Sequence, residues 1–306
     1  MKTTKLSVTM FFMAIATLWF TSCDNQSKKN DESAQADSLA IENAAAAEEP
    51  EEEEPLAFET LVEQTQGKGD AVTISVQYPV SGPEVLVNAI REYINESFGG
   101  NYSGNLTDLE NGRDMVKFYY NQRMADLKDY ASDEPHDASI GYSSQTDSIY
   151  LKCQTDEFIT FMHYSEFFYA GAAHPGSSQA GVTFRRSDGR RMDWNLFTGQ
   201  YDKGFQRLIK GGLMHYFEVD TEEELYENLQ LGTEYGANIP LPNSCPPLFT
   251  PRGVRFIYAE YEIASYAAGM PHFTIPYEDI EPFMGPVAKN LIPNREKSKA
   301  KESKKP

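Results

Sequence analysis

The chain has 306 residues, with 46 acidic side chains against 27 basic ones and a net charge of −19 at neutral pH. A surface of that sign repels phosphates, which excludes nucleic-acid binding. It favours encounter with basic proteins, although an acidic surface also serves plain solubility.

Residues 1–22 read as an export signal. Lys2 and Lys5 precede an apolar run over residues 6–20, which is shorter than the roughly 20 residues a membrane span needs. The run ends in Phe20-Thr21-Ser22-Cys23, a pattern similar to the lipobox of bacterial lipoproteins, where the cysteine becomes the lipidated N-terminus. The alternative is an ordinary secretory signal with an incidental cysteine. One acyl chain holds a membrane only marginally, so an anchor at Cys23 implies more than one. Residues 23–55 read as an acidic tether. They carry eleven acidic and two basic side chains and almost nothing apolar beyond alanine, so no core offsets the entropy of ordering them. Such a tether reaches about 100 Å fully extended.

The body is expected over residues 56–293. The first 55 residues carry −7 and residues 294–306 carry +4, which leaves −16 on the body. Residues 56–66 and 71–80 read as two strands, the second alternating Val72, Ile74, Val76 and Tyr78 on one face. A helix starts after Pro83, with Leu86, Ile90, Tyr93, Ile94 and Phe98 on one side, and Gly99-Gly100 stops it. A second helix is expected over residues 114–130. Three strands follow, over 139–146, 148–154 and 158–169. The third runs into a compact loop, and a further strand returns over 180–186. Asp188-Gly189 is a hairpin signal. After it come a helix with Phe205, Ile209 and Leu213 on its apolar face, a short helix capped by Thr221, paired strands around residues 248–263, a strand at 273–276 and a last helical turn. Grouped strands and helices predict an α+β fold, with antiparallel sheets packed against helices in two sub-domains, 56–199 and 200–293. Residues 294–306 read as a basic tail.

Two motifs stand out. Residues 167–176 read F-F-Y-A-G-A-A-H-P-G, and residues 261–269 read Y-E-I-A-S-Y-A-A-G, followed by F-T-I-P. Both resemble motifs of the extracytoplasmic domain shared by the anti-sigma factor RsiV and the N-terminal part of the peptidoglycan deacetylase PdaC. The turn R-S-D-G-R-R-M-D-W-N-L-F between them is similar to the same family, and the resemblance spans residues 60–284. Ser265 stands where the family has proline. The resemblance implies a binding domain, with lysozyme as the ligand in the anti-sigma relative, and it places the contact surface on Tyr169, Gly171, His174, Pro175, Tyr261, Glu262, Ser265 and Tyr266.

Chemistry-bearing patterns are sparse. The histidines His136, His163, His174, His215 and His272 form no H-E-x-x-H or H-x-x-x-H spacing, and there is no nucleophile elbow or P-loop. No cofactor, metal or catalytic residue is assigned. Cys153 and Cys245 lack C-x-x-C spacing, and their pairing stays open. His174 reads as a loop-bracing residue, a binding residue or a catalytic one, and catalysis needs a positioned partner. The expectation is a monomeric, non-enzymatic lipoprotein of the cell envelope, facing the periplasm or the outside. It would bind a basic protein such as lysozyme, or cell-wall glycan. The alternatives are an enzyme acting on wall sugar and a structural lipoprotein without a specific ligand.

Overall fold

In the computed structural model, residues 55–133 and 141–293 are described. The lipidation candidate Cys23, the signal and tether, His136 and the basic tail lie outside them. All described residues fall in one compact unit beginning at Glu52.

The element order is β1 (Ala57–Gln64), β2 (Ala71–Ser81), α1 (Glu84–Ser97), α2 (Leu109–Asp133), β3 (Ser144–Gln154), β4 (Phe158–Phe168), β5 (Gly176–Arg185), α3 (Lys203–Phe217), α4 (Glu222–Asn228), β6 (Leu248–Thr250), β7 (Gly253–Ile257), β8 (His272–Pro276), α5 (Tyr277–Ile280) and α6 (Pro286–Lys289). Strands β1 to β5 form one sheet in sequence order, and β6 to β8 form a second. The fold is α+β, as the grouping of elements predicts. One pairing departs from the antiparallel expectation: β2 and β3 run parallel, from Ala71↔Ser144 to Val76↔Ile149. The helices α1 and α2 supply the long crossover that parallel neighbours need. The two strands expected over 139–154 are one, β3. Ser144, Thr146 and Ser148 continue the alternation through the stretch where the sequence suggests a break.

Alternation in β2 sends Val72, Ile74, Val76 and Tyr78 to one face, where all four are buried. That face packs on α1 and α2 and forms the first core, with Leu86, Ile90, Ile94, Met115, Val116 and Phe161. Tyr78 keeps its hydroxyl bonded to the carbonyl of Leu106 at 2.8 Å, and burial pushes it up to about 12. The second core gathers Phe205, Ile209 and Leu213 of α3 against the small sheet, with Phe249, Phe256 and Phe273. Met192 and Phe197 already belong to it, ahead of Gly199. Thr221 caps α4 in a full capping box with Glu224.

A polar clasp ties the second sheet to the outer face of the first. The Thr160 hydroxyl donates to the carbonyl of Phe249 at 2.7 Å, and the Phe249 N–H donates to Thr183 Oγ1 at 2.9 Å. Thr160 and Thr183 Oγ atoms are 2.9 Å apart. The Thr160 proton is already engaged, so Thr183 donates to Thr160 and the three groups close a ring. Both threonines are fully buried, which makes this closure necessary as well as favourable.

Cys153 and Cys245 are both free thiols. Burial pushes the Cys245 thiol up to about 12, and burial raises Cys153 as well. Among the described residues, no helix is long and apolar enough to cross a membrane.

Candidate functional site

The loop after β4 is shaped by its small residues. Phe167 pairs with Gly176 across the hairpin, and the Phe167 ring lies over that glycine. A Cβ at Gly176 would sit 2.4 Å from the ring, so only glycine admits the contact. Gly171 has φ +88° and stands third in a turn closed by Ala172 N–H to the Tyr169 carbonyl at 2.9 Å. That conformation favours glycine. The loop base is fixed inward: the Ala170 N–H donates to Ser143 Oγ at 3.0 Å, and both residues are buried. Tyr169 packs at a tilt against Tyr130 of α2, with ring centroids 4.3 Å apart. These contacts hold residues 171–175 out in solvent.

The second motif meets this loop. The His174 ring stacks on the Tyr266 ring, with centroids 3.9 Å apart and planes 26° from parallel. The Tyr266 hydroxyl donates to the Pro175 carbonyl at 2.8 Å, across 91 residues of chain. The same carbonyl lies 2.9 Å from His174 Nδ1. A carbonyl only accepts, so Nδ1 carries the proton and Nε2 is the ring's free nitrogen. Tyr261 lies next to Tyr266, with ring centroids 5.9 Å apart. It is 62% exposed and holds φ +64°, a conformation that bulky residues rarely adopt. Ser265 precedes the helical turn 266–268 in extended backbone, which a proline there would also allow.

Two carboxylates border the stack, and the sequence singles out neither. Glu260 accepts from Ser177 Oγ at 2.5 Å and from the Ser177 N–H at 3.3 Å, a second bond between the two motif segments. Glu166 accepts from the Tyr164 hydroxyl at 2.6 Å. That bond, then partial burial, raise the Tyr164 hydroxyl to about 12. Slight desolvation, then the charges of Glu260 and Glu166 and the neighbouring Tyr261, raise the Tyr266 hydroxyl above the usual tyrosine range. Both tyrosines are therefore protonated donors at neutral pH. Glu260 directly precedes the second motif and Ser177 directly follows the first, but their pairing comes from a fold-level contact that spacing does not encode.

The structure thus joins His174, Pro175, Tyr261 and Tyr266 in one exposed surface. Gly171 shapes it and Tyr169 braces it from the α2 side. Glu262 is not part of it. Its carboxylate accepts from the Ala259 N–H at 2.7 Å and from the Asn243 N–H, and it lines a separate cavity of about 510 Å³.

A second polar group lies between the sheet and α2. Asp147 is 2% exposed and meets Arg123 Nε at 3.4 Å, His163 Nε2 at 3.4 Å and Gln145 Nε2 at 3.1 Å. Burial raises its carboxyl, but the bonds from His163 and Ser165 and the Arg123 charge outweigh it and hold the group below the usual carboxylate range. Asp147 is shielded from solvent while Arg123 and His163 keep partial exposure, and the geometry is that of a packed ionic brace. Among the described residues, no three His, Cys, Asp or Glu side chains are grouped to hold a metal.

Residues 195–278 match a family model described as a protein of unknown function, DUF3298. No curated protein matches the chain. Two solved structures share the fold. A DUF3298 family member from Bacteroides fragilis NCTC 9343 aligns with TM-score 0.60 and 21% identity over 77% of this chain and 97% of its own. A DUF3298 family protein from Pseudomonas aeruginosa PAO1 aligns with TM-score 0.52 and 15% identity over 79% of this chain and 98% of its own. The matched segment contains Tyr261, Glu262, Ser265 and Tyr266, and it stops before α6.

Proposed function

We propose that the chain is a non-catalytic lipoprotein of the cell envelope, whose folded head captures a basic extracytoplasmic protein, lysozyme being the model ligand, on the surface built by His174, Pro175, Tyr261 and Tyr266. The observation that carries this reading is the welded pair His174 and Tyr266, which fixes two distant motif segments into one rigid aromatic platform. Tyrosine supplies large contact area with few torsions to freeze, and such residues dominate interface energetics. Glu260 and Glu166 give the platform the sign that a basic partner complements. The resemblance of residues 60–284 to the RsiV and PdaC domain supports the same reading.

Among the described residues the His174 ring bonds the Pro175 carbonyl, which fixes its tautomer and orientation within the platform. Anchoring at Cys23 supplies the membrane attachment, and labelled fatty acid should enter the wild-type chain and not a Cys23→Ser variant. The ligand reading is tested by hydrogen exchange on the full chain with and without lysozyme. Protection confined to residues 171–177 and 260–268 supports it. Unchanged exchange there, or release of sugar or acetate from purified peptidoglycan, would replace it with the enzymatic or the purely structural reading.

A further inference from the structure

The cavity beside Glu262 lies outside the platform, and its lining has a chemistry of its own. It measures about 510 Å³, within the range of small-ligand sites. Gln200, Tyr201, Gln230, Tyr235, Asn243 and Glu262 line it. No lysine or arginine lines it, and the one charged group is a carboxylate, so anions such as phosphates and sugar acids are disfavoured.

The walls are held before any ligand arrives. Gln206 of α3 is buried, and its amide donates to the carbonyls of Gln200 at 2.7 Å and Ile239 at 3.0 Å while accepting from the Ile239 N–H at 2.8 Å. One side chain thereby fixes the segments on two sides of the cavity. The Tyr258 hydroxyl holds the Pro240 carbonyl at 2.9 Å, and the Gln230 N–H donates to the Ile263 carbonyl at 2.8 Å, which sets Gln230 beside Glu262. Glu262 in turn bridges the backbone at Asn243 and Ala259. By contrast, the side chains of Gln200, Tyr201, Gln230, Tyr235 and Asn243 make no hydrogen bond among the described residues. Fixed backbone with unengaged amides and hydroxyls is the arrangement of a preorganised polar site.

We propose that this cavity is a binding site for an uncharged saccharide of two or three rings. Primary amides donate and accept at once, which suits neighbouring sugar hydroxyls. The Glu262 carboxylate has acceptor capacity beyond its two backbone bonds. Tyr201 and Tyr235 offer flat faces with negative π character to the C–H face of a pyranose ring. The site is separate from the aromatic platform and does not depend on its ligand.

The test is calorimetric titration of the full chain with trisaccharides of N-acetylglucosamine and of glucose, with a cationic glucosamine trimer and a sugar acid as charged probes. At least one neutral trimer should bind, with a dissociation constant on the order of 1 mM or below. Tyr201 is 56% exposed and unbonded, so Tyr201→Ala keeps the fold. It should weaken saccharide binding at least about tenfold, as loss of an aromatic contact does. Lysozyme binding should stay unchanged in that variant. Gln230→Ala should weaken the saccharide in the same direction. Absence of neutral-trimer binding up to about 20 mM overturns the proposal, a level at which even millimolar sites fill. So does equal affinity in wild type and Tyr201→Ala, or binding of the charged probes alone. Saccharide binding without any lysozyme binding would sink the platform reading and leave this one standing.

Discussion

Asp147→Ala should lower the stability of the head by about 3 kcal/mol, because it removes the shared acceptor of a buried ionic brace. Arg123 and His163 each lie 3.4 Å from the carboxylate, with side chains 20% and 17% exposed, so neither regains full hydration when it goes. Asp147→Asn keeps an acceptor at the same place and should cost less, about 1 to 2 kcal/mol. The pH dependence follows from the depressed carboxyl. The stabilisation is fully present above the unfolded value near 4 and is lost as pH falls through the lower folded value. The gap between wild type and Asp147→Asn should therefore close as pH drops below about 4. Urea unfolding followed by circular dichroism from pH 3 to 7 reads both effects. A gap that stays constant to pH 3 would show that the carboxyl titrates alike in the folded and unfolded chain, and one that widens as pH falls would show that burial outweighs its partners.

Tyr266→Ala should weaken capture of a basic protein by about 30-fold, the size expected for an aromatic anchor worth about 2 kcal/mol. The substitution removes three things at once: the stack on His174, the bond to Pro175 and the face beside Tyr261. Tyr266→Phe separates them. It keeps the stack and loses the bond, so its loss should be about fivefold, in line with one hydrogen bond near 1 kcal/mol. Thermal unfolding should move little in either variant, since Tyr266 sits in neither hydrophobic core. Equal affinity across wild type and both variants, measured by titration with lysozyme, would remove the platform from the account.

Most of the architecture is legible in the sequence because local rules decide it. The period-two pattern of Val72, Ile74, Val76 and Tyr78 marks β2, and Thr221 with Glu224 marks α4. The parallel pairing of β2 and β3 is not legible, because the strand pattern is the same for either direction and the crossover alone decides. The break suggested within 139–154 fails for a similar reason: Thr146, Asp147 and Ser148 look like a turn by type but alternate correctly across a sheet. Within the site, glycine and proline announce the loop at residues 171–176, and Tyr266 carries a motif. The stack between them, and the bond from Glu260 to Ser177, arise from long-range closure that no local pattern records. Glu262 shows the opposite case. Adjacency to Tyr261 suggests a shared surface, yet in the turn whose Glu262 N–H bonds the Ala259 carbonyl at 3.1 Å, the carboxylate accepts from the Ala259 N–H of that same turn and from the Asn243 N–H of another loop.

The measurement closest to the central claim is the affinity of the full chain for lysozyme at low and moderate ionic strength. A charged aromatic platform should bind at about 20 mM salt and weaken at least tenfold by about 300 mM, as the Debye length shrinks below the spacing of surface charges. Absence of binding at low salt, or an affinity indifferent to salt, would contradict capture of a basic partner by this acidic head.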